Sequence, residues 1–128
     1  MKWLGKYSGH AYALLRIVAG LLVAFHGVQK LFGVLGGFQP PVGSQLWIGG
    51  LLEFVGGLAI LVGFQTRLAA FLLSGMMAVA YLQFHWKFRF GAAFWPAVNE
   101  GELAVVYCFL FLYIACRGGL RWCVDKAD

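Results

Sequence analysis

Apolar residues run in long blocks along this chain. Short Gly-, Pro- and aromatic-rich stretches interrupt them at 36–45 (GGFQPPVGSQ), 63–67 (GFQTR) and 87–99 (KFRFGAAFWPAVN). The blocks left between, about 11–35, 46–64, 67–86 and 101–117, each approach the ~20 residues an α-helix needs to cross hydrocarbon. The pattern predicts an all-α, polytopic membrane protein: a four-transmembrane-helix bundle forming a single domain over 1–128. Only the middle break is tight, so the second and third helices should form an antiparallel hairpin.

Composition supports this reading. Hydrophobic residues make up 62% of the chain and charged ones 12%, with a mean hydropathy of +0.80. That leaves too little polar surface to coat a water-soluble globule of this length. The expected surroundings are a lipid bilayer, the bacterial cytoplasmic (inner) membrane. MKWLGK has the basic start of a cleavable signal, but Arg16 interrupts the apolar run and no small-x-small site precedes His26, so the first helix should remain as a span. Lys2, Lys6, Arg67, Arg117, Arg121 and Lys126 fall on one side of the four-span arrangement, against Lys87 and Arg89 on the other, which puts both termini in the cytoplasm. The net charge of +5 is therefore mostly an orientation signal. No basic stripe suits nucleic acid, although RGGLRWCVDK has the composition to touch anionic headgroups. Cys108, Cys116 and Cys123 show no CxxC and no metal-ligand spacing; they read as two small buried hydrophobes and a reduced surface thiol, with no metal site.

The spans nevertheless carry expensive groups. Arg16, Lys30, Glu53 and Glu102 together could cost about 10 kcal/mol if left unpaired at helix centres, comparable to the whole net stability of a domain. Snorkelling relieves Arg16 and Lys30, and Glu102 lies near enough to the surface to stay wet. Glu53 has no such relief. Arg16, Lys30 and His26 follow one another around the first helix in steps of about 40° and form a polar stripe. In the second, Gly49, Gly50, Gly56 and Gly57 lie three or four positions from Glu53, a spacing that lets helices approach closely. These positions predict a Lys30–Glu53 contact with His26 nearby. On alternating helices His26, Lys30, Glu53, Gln83, His85, Asn99, Glu100 and Glu102 converge on the outer half of the bundle. For each residue taken singly, an interhelical lock is the simpler reading; an intramembrane cluster of this size is a functional-site candidate by default.

The third break alternates aromatic with basic residues and suits an interfacial aromatic belt, or else a lid of Phe88, Phe90, Phe94 and Trp95 over an aromatic slot fit for a quinone-like ring. His85, beside Trp86, fits the headgroup region. The glycine pairs sit inside apolar helices and cannot form a phosphate loop. Ser74 has no acidic neighbour at helical spacing and is expected to bond its own backbone.

With those residues in place, the chain resembles the DoxX family of small four-helix membrane proteins. The resemblance runs through LLRIVAGLLVAFHGVQKLFG (14–33), LEFVGGLAILVGFQTRLAA (52–70) and FWPAVNEGELAVVYCFLFLYIA (94–115). It implies a membrane subunit of a quinone-linked oxidoreductase system working with a membrane or soluble redox partner protein. The family's polar positions fall on Arg16, His26, Lys30, Glu53, Arg67, Asn99 and Glu102. In this reading Glu53 and His26 exchange protons, and His26, Lys30, Glu53, Glu102, Asn99 and Trp95 bind the ligand. Arg16 and Arg67 are structural. More distant relatives act in assembly without catalysis, so a scaffold subunit for a partner protein, or for a second copy of the chain, is the alternative. Transport of a small solute or protons ranks lower, because four short helices make a small pathway. Haem held by His26 and His85 ranks lowest.

Overall fold

A computed structural model describes residues 1–126, and these are helical with no strand among them. A 3₁₀ segment, Lys2–Tyr7, leads into α1 (Ser8–Phe32), followed by α2 (Gln45–Val62), α3 (Thr66–Ala80), a short α4 (Pro96–Asn99) and α5 (Glu102–Arg117). Residues Tyr81–Trp86 continue α3 as a π-helical segment. The breaks terminate helices by ordinary chemistry. Gly33 (φ 63°) and Gly63 (φ 70°) close α1 and α2 in the left-handed region that glycine enters without a Cβ penalty. Ser44 caps α2 by accepting from the Trp47 amide at 3.3 Å.

Burial is inverted relative to a soluble bundle. Leu14, Phe25, Val55, Phe71 and Phe109 face outward, while Arg16 and Glu53 are buried. Such a surface is stable only against lipid or another apolar body. The core between the helices is made by Val23, Ile60, Leu73, Phe111 and Ile114.

The helices pair as α1 with α2 and α3 with α5. The α1–α2 seam is built on glycines seven residues apart. A Cβ on Gly20 would sit 2.6 Å from the Leu61 nitrogen, and one on Gly57 2.6 Å from that of Ala24; Gly27 faces the Phe54 nitrogen equally closely. Bare backbone therefore packs on bare backbone, as small residues allow in membranes. The tight α2–α3 turn does produce a hairpin, yet Leu73 fills the space beside Gly56 and holds those helices further apart. Gly49 faces open space, so the four glycines of α2 do not share one role.

Three helical stretches are long and apolar enough to cross a membrane: Lys2–Phe32, Gln45–Val62 and Thr66–Trp86. The fourth predicted segment is present as α5, but its 16 residues rise only about 24 Å. Its start matches the predicted 101 to within a residue. Gly101 packs on the Tyr81 ring, where a Cβ would lie 2.6 Å from ring carbons, so the α3 continuation runs past the start of α5. The aromatic segment 92–99 fills that last turn. The start of α1 and the described part of the C-terminal tail lie at one end of the bundle, where Trp122 stacks edge-on against His10.

Candidate functional site

Two polar arrangements occupy the interior, and an aromatic groove lies at the end away from the termini. The first arrangement is the Lys30–Glu53 ion pair, with Lys30 Nζ 2.7 Å from Glu53 Oε1. Sequence spacing anticipated the contact, and the glycine seam explains it. A Cβ on Gly50 would lie 2.6 Å from Lys30 Cβ, so its absence gives the lysine stem a track to the carboxylate one turn on. Glu53 is 6% exposed, and its second oxygen, Oε2, is buried without a hydrogen-bond partner among the described residues.

His26 is not brought to this pair. It is exposed because Gly27 points straight into α2, and the preceding residue of a helix is turned away by about 100°. Glu102 is also exposed, in the first turn of α5. The single outer polar cluster expected from the order of residues is thus divided.

The second arrangement surrounds Arg16, which is fully buried rather than snorkelling. Its Nη1 donates to the Ile60 and Leu61 carbonyls (2.5 and 2.9 Å), and Nη2 to those of Arg121 and Trp122 (2.9 and 2.6 Å). Carbonyls in the last turn of a helix have no intrahelical donor, so one planar guanidinium ties the end of α2 to the C-terminal tail. The tail is also held by Val124 and Asp125, whose amides donate to Val62 and Gly63. In return Asp125 accepts from the Gln65 and Thr66 amides at 2.7 and 2.8 Å. Burial pushes the Asp125 carboxyl up, but the hydrogen bonds from Thr66 and Gln65 and the nearby Arg16 charge outweigh it and hold the group below its ordinary range. Arg67 donates to the Ala115 and Cys116 carbonyls. Ser74 reaches across to the Cys108 carbonyl at 2.7 Å instead of its own helix, so it is a bridge between α3 and α5. Cys116 faces outward and Cys123, within the tail, is half-buried against Gly63, the reverse of the burial expected for them.

The groove lies between α3 and α5, with a volume of about 440 Å³. Tyr81, Trp86, Phe94 and Trp95 form one side, Cys108 and Phe109 the other. Phe94 meets Trp86 and Trp95 edge-to-face, with centroids at 5.6 and 5.4 Å. The π-helical segment supplies Tyr81, Leu82 and Trp86 to the lining; such segments are frequent at functional sites. Through Tyr81 the lining joins a chain of polar side chains that runs beside the groove. Asn99 Nδ2 donates to the Tyr81 hydroxyl (3.2 Å) and the Ala93 carbonyl (3.0 Å), and its Oδ1 accepts from the Gly101 amide (2.9 Å). His85 stacks on Tyr81 and places Nδ1 3.4 Å from the Asn99 carbonyl. Trp95, 62% exposed, stands at the mouth. Of the residues the sequence suggests for a ligand, Trp95 lines this groove and Asn99 lies behind it, bonded to Tyr81; Tyr81, whose position depends on the change of helical pitch, is not among them. Sequence reasoning also missed Gly20 and Gly27, although their seven-residue spacing repeats that of Gly50 and Gly57.

The DoxX family model matches residues 11–86, which include Arg16, His26, Lys30, Glu53, Arg67 and the π-helical segment. An uncharacterized protein of Haemophilus influenzae is 38% identical over 130 aligned positions, covering 98% of this chain and 96% of that protein. No solved structure shows a significant match. With more than half of its length matched by the family model, and with helices of membrane length and outward apolar faces, the chain is a membrane protein that belongs to the DoxX family.

Proposed function

We propose that this protein is the membrane subunit of a quinone-linked oxidoreductase system in the bacterial cytoplasmic membrane, and that the groove between α3 and α5 receives the quinone head. In this reading the bundle spans the membrane four times with both termini in the cytoplasm. The aromatic segment 92–99 makes up the thickness that α5 lacks. The observation that carries the reading is the groove itself. Its volume falls in the range of small-molecule sites, its walls are almost wholly apolar, and Tyr81 in its lining belongs to the polar chain that runs beside it. The exposed rings of Phe109 and Trp95 leave it open sideways, the direction from which a lipid-dissolved ring arrives.

The residues fit such a group. As a donor the Tyr81 hydroxyl makes only a long contact, 3.4 Å, to the Phe94 carbonyl, so it can turn to donate to a ligand carbonyl. In this reading Asn99 fixes the phenol, and His85, stacked on Tyr81, relays protons to and from it. Bound there, a quinone would supply two-electron, two-proton chemistry, with electrons delivered by a partner protein. The proton exchange expected of His26 and Glu53 has no part in this reading, because His26 faces outward and Glu53 is closed by Lys30. Organic extraction of protein purified in mild detergent, analysed by mass spectrometry beside an oxidised-minus-reduced optical spectrum, tests it. Quinone in stoichiometric amount is the expected result; none at full protein recovery contradicts it.

A second reading, a non-catalytic assembly subunit, draws on a different observation: Arg16 and the Lys30–Glu53 pair are both spent on joining helices. It requires a stable partner in pull-downs and no extractable quinone.

A further inference from the structure

At the opposite end of the bundle from the groove, a second cleft of about 450 Å³ lies between the α2–α3 turn and the C-terminal tail. We infer that this cleft binds the phosphate of an anionic lipid headgroup.

Its lining includes Gln65, Thr66, Arg67, Arg117, Gly119 and Lys126. Among the described residues three cations therefore line it, against one carboxylate. That carboxylate, Asp125, has both oxygens engaged by the amides that begin α3, which makes it part of the wall instead of a competing occupant. Two of the cations are held in place. Arg67 donates to the last carbonyls of α5, and Gly118 leaves room for it, since a Cβ there would lie 3.3 Å from the guanidinium carbon. Arg117 lies over the Tyr12 ring, 5.8 Å from its centroid. Such orientation lowers the entropy lost when an anion is captured.

Depth and surroundings identify a lipid as the carrier of the phosphate. The cleft sits where α3 begins and α5 ends, the level of the headgroups for helices that cross hydrocarbon. Its surroundings are amphipathic: Phe64, Leu120 and Trp122 are exposed beside it, the side chains expected at a membrane interface. A soluble phosphate would use the cations but not these apolar neighbours; a phospholipid would use both.

The test is thermal unfolding of the full-length protein in detergent, titrated with short-chain phosphatidylglycerol, with short-chain phosphatidylcholine, and with inorganic phosphate. Phosphatidylglycerol should raise the midpoint saturably, with phosphatidylcholine and phosphate well behind. The Arg117→Gln/Lys126→Gln variant should bind roughly thirtyfold more weakly, while Lys2→Gln/Lys6→Gln, which removes equal charge from the same end but outside the cleft, should match wild type. Should Arg117→Gln impair folding through Tyr12, Lys126→Gln alone carries the test, because Lys126 is exposed, and it should lose roughly fivefold. Equal stabilisation by both lipids, or equal loss in the Lys2/Lys6 variant, overturns the inference in favour of nonspecific binding. A full effect from inorganic phosphate overturns it in favour of a free-anion site.

Discussion

Removing the lysine of the Lys30–Glu53 pair should be far more damaging than removing both partners. Glu53 is 6% exposed; among the described residues Lys30 Nζ is its one side-chain hydrogen-bond donor, and Oε2 has none. Lys30→Met would leave a carboxylate among helices with nothing to answer it, a change that costs about 3–5 kcal/mol in buried pairs. The lower end applies here, because the Lys30 side chain is 31% exposed and water already shares in its solvation. About 3 kcal/mol is a large fraction of the 5–15 kcal/mol typical of a folded domain. Lys30→Met/Glu53→Met removes the charge together with its partner and should recover most of the loss. Unfolding in mixed micelles by SDS titration, followed by circular dichroism for wild type, both single variants and the double, gives the coupling directly. Lys30→Met within about 0.5 kcal/mol of wild type, or a double variant less stable than the single, would refute the claim that this pair locks α1 to α2.

Other expectations follow from the same contacts. Arg16→Met should lower stability by at least about 2 kcal/mol, since four carbonyls lose their donor, and should leave the tail open to proteolysis. Gly27→Ala, pressed against the α2 backbone, should cost about 1–3 kcal/mol in the same unfolding assay, whereas Gly49→Ala, facing open space, should be neutral. The Asp125 carboxyl lies below its ordinary 3.8 in the folded chain. Its contribution is therefore complete above that value and is lost as pH falls through the lowered one. Hydrogen exchange at the Gln65 and Thr66 amides, corrected for intrinsic rate, should accelerate below about pH 4; Asp125→Asn should be faster at neutral pH and should lack that acid step.

The sequence revealed most where a cost demanded a partner. Glu53 amid glycines required a cation within reach, and Lys30 at its spacing supplied one. The helices were legible because the Gly and Pro breaks end them by local chemistry. What escaped were the consequences of packing. His26 looked like part of a stripe until Gly27 fixed which line of α1 meets α2. Arg16 looked able to snorkel, because nothing in the sequence shows the tail folding back to offer Arg121 and Trp122 carbonyls. The bounds of α5 were legible to within a residue, but the place of Tyr81 in the groove depends on a pitch change over Tyr81–Trp86, to which apolar periodicity is nearly blind.

The central claim, that the ligand site is the aromatic groove and not the buried ion pair, is tested most directly by quenching of tryptophan fluorescence with a short-tailed quinone, Trp86 and Trp95 being the reporters within the groove. The account predicts saturable quenching that is lost in Ala78→Phe, which fills the groove, weakened roughly fivefold in Tyr81→Phe, and retained in Glu53→Gln. Quenching that is linear and unchanged in Ala78→Phe, or binding that survives Ala78→Phe and disappears in Glu53→Gln, would contradict it.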